Sequence, residues 1–299
     1  MQTISAFEND IKLQLAFLDT FKSQKPINPK NALFCGCGDS LASCMMAECF
    51  SDYHSRAVDP LDLAKNKDIS KNKRVYFVSI SGNTMANVKA AKTVKKSTAI
   101  TKNHASKLAR TCTGLITLDY IDSRTMTSGS ISFLASMLTC ISLVSCFRVK
   151  NAKRLFLSAE SQARKMLPKN KVYFVGNQYT YPLCMYAAAK LHEVLGMDAH
   201  YEKIEQFSHA GLFSARPGDT IIIFEGKNRH NERFVSQLKK LGMSVHNPSI
   251  KSGDKISQVI FYTFVSQILA LNGAKRKRLA DCYFVTEKKI RNVSSSMIY

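Results

Sequence analysis

Apolar strands that end in turns and run on into helical segments, in two successive stretches of the chain, predict an α/β protein. The expected architecture is a pair of three-layer αβα sandwiches, each with a parallel sheet. Three observations carry this expectation. Arg74-Val75-Tyr76-Phe77-Val78 enters the turn Ser79-Ile80-Ser81-Gly82-Asn83-Thr84, and Thr220-Ile221-Ile222-Ile223-Phe224 is a second continuous apolar run. Strands and helices also alternate along most of the chain with short connections.

Taken in order, residues 1–21 mix apolar side chains with Glu8, Asp10 and Lys12, which suits a helix and not the unbroken apolar core of a signal peptide. Residues 31–34 read as a strand that enters Gly36-Cys37-Gly38-Asp39-Ser40, with a helix over 41–50. Strand 74–78 precedes a helix over 85–96. Strand 97–101 precedes a helix over 106–111, and 114–118 is a fourth strand. Residues 131–147 form the longest apolar stretch read from the sequence, but Ser and Thr recur in it and it is shorter than the ~20 residues a membrane span needs. It is expected as a buried helix. After a polar helix over 152–167, strand 171–175 enters Gly176-Asn177-Gln178 and a helix over 182–195. Strand 220–224, a helix over 231–241 and a strand over 243–246 complete the second stretch. The expected domains are 1–152, with the N-terminal helix, and 153–299, with a C-terminal tail.

The chain has 299 residues, 45% of them hydrophobic, which suffices for substantial cores and excludes a linker or a disordered tail. Its formal charge of +21 favours an anionic ligand, whether sugar phosphate, nucleotide or nucleic acid. The basic residues lie in short clusters, and most read as a solvated surface. Nothing resembles a helix-turn-helix, zinc-finger or RNP pattern, so nucleic acid is not the expected partner. Nine cysteines, without a C-x-x-C framework, argue against a disulfide scaffold and a structural zinc site and suit the reducing cytoplasm.

The chemistry-bearing residues cluster at strand-to-helix junctions. There, unpaired N–H groups and Gly- and Ser-rich turns are able to cradle a phosphate. Gly82 permits close backbone approach, Ser79, Ser81 and Thr84 supply hydroxyls, and Gly38 and Ser40 mark the first junction. An ordinary helix-capping turn uses the same residue types.

The S-x-S-G-x-T pattern at Ser79–Thr84, with Cys37-Gly38-Asp39-Ser40 before it and Ala99-Ile100-Thr101…Ser106-Lys107-Leu108-Ala109 after it, resembles the sugar isomerase (SIS) domain. That family binds the phosphate of a phosphosugar in this turn. The second stretch is similar to the second SIS domain of the isomerase part of glucosamine-6-phosphate synthase. Tyr181-Pro182 and Lys190-Leu191-His192-Glu193 match its helix, and His209 follows Glu193 by sixteen residues, as in the family. The resemblance covers residues 30–285 and implies two flavodoxin-like SIS domains. It implies Glu193 as the base moving a proton between C1 and C2, His209 as the ring-opening group contributed across a homodimer interface, and Lys190 beside the substrate oxygens. Aldose–ketose chemistry asks for these types independently: a near-neutral acid–base group, a carboxylate and a cation.

Two positions depart from that family. Asp281, in Arg278-Leu279-Ala280-Asp281, stands where the synthases have a Schiff-base lysine, and Arg124 opens the segment 124–133 where they have Glu. Arg124 is similar instead to an arginine of archaeal-type phosphoglucose/phosphomannose isomerases, and joins the expected phosphate- or sugar-binding residues. The expectation is a cytoplasmic, homodimeric phosphosugar isomerase or aminosugar-phosphate isomerase/deaminase acting through an enediol, with no metal or organic cofactor and no membrane partner. Phosphoglucose/phosphomannose isomerisation, ketosamine-phosphate deglycation and non-catalytic phosphosugar sensing are the alternatives.

Overall fold

The structure is a computed structural model that describes residues 1–251 and 253–298. The chain forms two compact units. One comprises Thr20–Ile121, Ile131–Phe147 and the chain from Lys288 onward. The other comprises Met1–Asp19, Asp122–Ser130 and Arg148–Glu287.

The first unit holds five parallel strands, β1 (Ala32–Cys35), β2 (Arg56–Val58), β3 (Arg74–Val78), β4 (Ser97–Thr101) and β5 (Gly114–Thr117). Their spatial order is β2-β1-β3-β4-β5, the flavodoxin-like arrangement. Alternation along the strands gives each face its own core. Leu33, Val75, Phe77 and Ala99 pack with Leu63 of α3 (Pro60–Lys65), Ala90 and Ala91 of α4 (Met85–Ala91), and Leu108 of α5 (Lys107–Thr111). On the opposite face Phe34 stacks on Tyr76 at 5.2 Å, and α2 (Asp39–Phe50) lies on β1 and against α6 (Ile131–Val144). All of α6 except Ser132 and Val144 is buried, which is the environment its apolar sequence requires.

The second unit holds four parallel strands in the order β7-β6-β8-β9: β6 (Val172–Val175), β7 (Ala199–Glu202), β8 (Thr220–Ile223) and β9 (Ser244–His246). This is the same winding without a fifth strand. Tyr173, Val175, Ile221 and Ile223 face α9 (Ile204–His209) and α10 (Arg229–Lys240) through Phe207 and Leu238. On the other side α8 (Tyr181–Leu195) packs on β6, and α11 (Lys255–Arg276) packs on α8 and on α7 (Ala152–Arg164). The N-terminal helix α1 (Thr3–Thr20) belongs to this unit through Gln14, whose Nε2 donates to Gln267 of α11 at 2.6 Å.

Three features depart from the sequence expectation. The helix expected over 85–96 stops at Ala91, where Thr93 turns its hydroxyl back onto the Ala90 carbonyl at 2.8 Å. Strands β2 and β7 escaped notice because both are short sheet edges with polar or half-exposed positions. The longest helix is α11, its apolar run broken in sequence by Ser, Thr and Gln. It is long and apolar enough to cross a membrane, but most of it is buried inside its own unit. Two short helices, α12 (Tyr283–Thr286) and α13 (Lys288–Ile298), end the described chain.

Candidate active-site residues and phosphate turn

At the carboxyl end of β3, the turn from Ser79 to Thr84 is closed on itself. The Gly82 N–H donates to the Ser79 carbonyl at 3.1 Å and to its Oγ at 3.2 Å, and the Asn83 N–H donates to Ser81 Oγ at 3.2 Å. The Ser79 and Thr84 hydroxyls are 3.2 Å apart. Gly82 has φ +62°, and a Cβ there would collide with the Ser106 side chain and lie 2.9 Å from Thr101 Oγ1. Only glycine fits both the left-handed backbone and that approach. The N–H groups of Ser81 and Thr84 have no acceptor among the described residues. Two free amides beside three hydroxyls make a nest suited to an oxyanion.

The first junction has a different form. Gly38, at φ +54°, is the exposed N-cap of α2, and Ser40 stands in its first turn with its N–H on the Cys37 carbonyl at 3.0 Å. Gly36 is fixed by crowding, since a Cβ would come within 2.9 Å of the Ser40 backbone.

In the other unit the helical spacing of α8 places Lys190 beside Glu193. Lys190 is fully buried, 0% exposed, whereas the Glu193 side chain is 38% exposed. The ammonium donates to Glu193 Oε2 at 2.6 Å and lies 4.9 Å from the centre of the Tyr186 ring. Ser128, which sequence reasoning missed, donates its hydroxyl to the same Oε2 at 2.6 Å. Both bonds fall on one oxygen, so Oε1 has no protein partner among the described residues. Tyr186 is locked in turn, its hydroxyl donating to the Gly129 carbonyl at 2.7 Å and accepting from Gln267 at 3.0 Å. Two residues on from Ser128, Ser130 is buried and its hydroxyl has no partner among the described residues, an arrangement that costs free energy unless a ligand supplies one. The signal available in the sequence was the Ser-Gly-Ser run 128–130, which the departure at Arg124 obscured.

Arg124 lies in this same unit, exposed, with φ +54° and its N–H on Asp122 at 3.0 Å. His209 is the last residue of α9, exposed, with no side-chain hydrogen bond or ion pair among the described residues. Asp281 accepts the N–H and hydroxyl of Thr3 at 2.8 and 2.9 Å. These bonds hold its carboxyl below the usual range, and they make it the tether of α1.

In the second sheet the corresponding junction is engaged by the chain's own side chain. At its switch point, between β6 and β8, Glu225 Oε1 accepts the Asn177 N–H at 2.8 Å and lies 3.1 Å from the Thr180 hydroxyl. Burial pushes this carboxyl up despite those bonds. The chain's own carboxylate thus takes the Asn177 N–H at this junction. Among the described residues no group of His, Cys, Asp and Glu is placed to hold a metal ion, and all nine cysteines are free.

Residues 165–250, which contain the second sheet, match the family model of the SIS domain. No curated protein matches the sequence. Among solved structures the chain is similar to glucosamine-6-phosphate deaminase from Thermotoga maritima, at 18% identity and TM-score 0.73, covering 93% of this chain and 96% of that one. It is also similar to tagatose-6-phosphate ketose/aldose isomerase from Escherichia coli, at 14% identity and TM-score 0.67, covering 92% and 90%. The C-terminal domain of glucosamine-fructose-6-phosphate aminotransferase from Francisella tularensis aligns at 13% identity and TM-score 0.63, covering 93% and 94%. With two parallel flavodoxin-like sheets and a SIS match over residues 165–250, the chain is an α/β protein of the SIS fold.

Proposed function

We propose that the protein is a phosphosugar isomerase, with the turn Ser79–Thr84 as the phosphate holder and Glu193 as the base. The observation that carries this reading is the clamp on Glu193. Lys190 and Ser128 both hold Oε2, so the carboxylate is fixed while Oε1 stays free to take a proton. In aldose–ketose exchange the C2 proton passes to Oε1 and electrons move into the C1 carbonyl to give an enediolate; the C2 hydroxyl proton moves to O1, and as the C2 carbonyl forms Oε1 returns its proton to C1. Lys190 is too deeply buried to meet a substrate in this arrangement, so it acts as a positioning residue. His209, exposed and unengaged, suits ring opening, and its free position at the end of α9 supports delivery to a partner subunit in a homodimer. Gly38, Ser40 and Arg124 are the further sugar-binding candidates. Hexose 6-phosphates and their 2-amino analogues are the proposed substrates, in the cytoplasm.

One observation favours a second reading, a phosphosugar sensor without turnover: Asp281 is committed to Thr3, so the position of the synthases' Schiff-base lysine does no chemistry here. Titration calorimetry with fructose 6-phosphate and with fructose tests the shared requirement. Saturable binding of the phosphate ester alone, weakened by Thr84→Val, is expected. Equal binding of both sugars contradicts the phosphate turn.

A further inference from the structure

We propose that the second sheet carries a separate binding site for an organic phosphate, in the cleft beyond the carboxyl ends of β8 and β9. This goes beyond the isomerase reading and does not depend on it. The cleft has a volume of about 700 Å³, within the range of small-molecule sites. Lys227 follows β8, and Asn247 and Lys251 follow β9. Gln162 of α7 and Gln258 and Tyr262 of α11 form the facing wall.

The walls are preformed. Asn247 Nδ2 donates to the carbonyls of Ile223 and Glu225 at 3.0 and 2.9 Å, which pins the two loops to each other. Gln162 exchanges two hydrogen bonds with the Ser249 backbone, both 3.0 Å. Tyr262 stacks on Phe224 at 4.7 Å and so gives a rigid floor.

The charge in the lining has one sign. Lys227 and Lys251 line the cleft, an adjoining hollow of about 360 Å³ adds Arg154, and no carboxylate lines either space among the described residues. The acids close in sequence are engaged elsewhere, and Glu160 pairs with Arg164 at 2.9 Å. Glu225 takes the Asn177 N–H, and Asp254 caps α11 through the N–H groups of Ile256 and Ser257 and the Ser257 hydroxyl. With Glu225 already on the Asn177 N–H between β6 and β8, the basic cleft is the place on this sheet edge that favours an anion. Lys227 and Lys251 in the cleft suit a phosphate, and the amide-bearing wall and the volume suit a hydroxylated body larger than the phosphate itself.

The test is a nitrogen-15 NMR titration of the intact protein with glucose 6-phosphate and, separately, uridine diphosphate. The expected result is saturable shifts of the Gln162, Asn247 and Gln258 side-chain amides with at least one probe. The Lys227→Ala/Lys251→Ala variant should bind that probe about tenfold more weakly at these amides, the effect of losing one charge-assisted contact or more. Unmoved cleft amides with both probes at millimolar concentration, or equal affinity in the double variant, would overturn the proposal. Shifts at Ser79–Thr84 report the phosphate turn separately, so the failure of one site is distinguishable from the failure of the other.

Discussion

In the proposed mechanism Glu193 is both the reactive group and the counter-ion of Lys190. Lys190 is wholly buried and its ammonium is paired with Glu193. Glu193→Ala therefore removes the carboxylate that faces a buried ammonium and should destabilise the fold. The expected cost in urea denaturation is about 3 kcal/mol, the low end for breaking a buried pair, because Glu193 is itself partly open to solvent. Glu193→Gln keeps an acceptor for Lys190 and Ser128, should cost less, and is the cleaner probe of catalysis. Glu225 gives a pH prediction. Its carboxyl binds the proton more tightly folded than unfolded because burial penalises the charged form. Its contribution to stability is thus greatest below the ordinary carboxylate range and is lost as pH rises through the raised value. Glu225→Gln, which still accepts from Asn177, should raise the melting temperature at pH 7 and leave it nearly unchanged at pH 4. A variant less stable than the parent at pH 7 would show that the ionised group is a net stabiliser.

At the scale of elements, the junctions at strand ends were the legible part of the sequence. Residues 74–78 and 97–101 are strands as read: the first carries an apolar run that must be buried on both faces of a parallel sheet, and the second, rich in β-branched Thr and Ile, pairs beside it. The Ser79–Thr84 turn was visible because Gly82 punctuates a run of hydroxyl residues. Ser128 was missed, since its partner lies 65 residues away and the departure at Arg124 obscured the Ser-Gly-Ser run that could have marked it. The edge strands and α11 were missed for the same reason: their identity comes from tertiary packing, not from a periodic pattern. Two predictions belong here. Gly82→Ala forces a Cβ into the Ser106 side chain at a left-handed backbone position, and should cost about 1–3 kcal/mol by thermal denaturation. The tether of α1 is the second. The Asp281 carboxyl is lowered by its bonds to Thr3, so its contribution is complete above its ordinary value and is lost as pH falls toward the lowered one. Hydrogen exchange should show the α1 amides losing protection in acid in the parent protein. Asp281→Asn should show reduced protection already at pH 7, with a weaker acid dependence.

For the whole molecule, the excess of 43 basic over 22 acidic residues creates a field that favours anionic ligands and falls off with salt. Helix α13 adds a surface feature, with Ile290, Val293 and Met297 on one face and all more than half exposed. A second copy of the chain is the occupant that fits the proposed homodimer, and sedimentation should show Val293→Asp/Met297→Asp shifting the protein toward monomer. The central claim, however, is proton transfer by Glu193. Its most direct test is incubation with fructose 6-phosphate, glucose 6-phosphate and glucosamine 6-phosphate in D2O, followed by proton NMR. The account predicts deuterium incorporation at C1 or C2 of at least one sugar, reduced on the order of a thousandfold in Glu193→Gln. Binding of all three without any exchange, or exchange unaltered by that substitution, would contradict it.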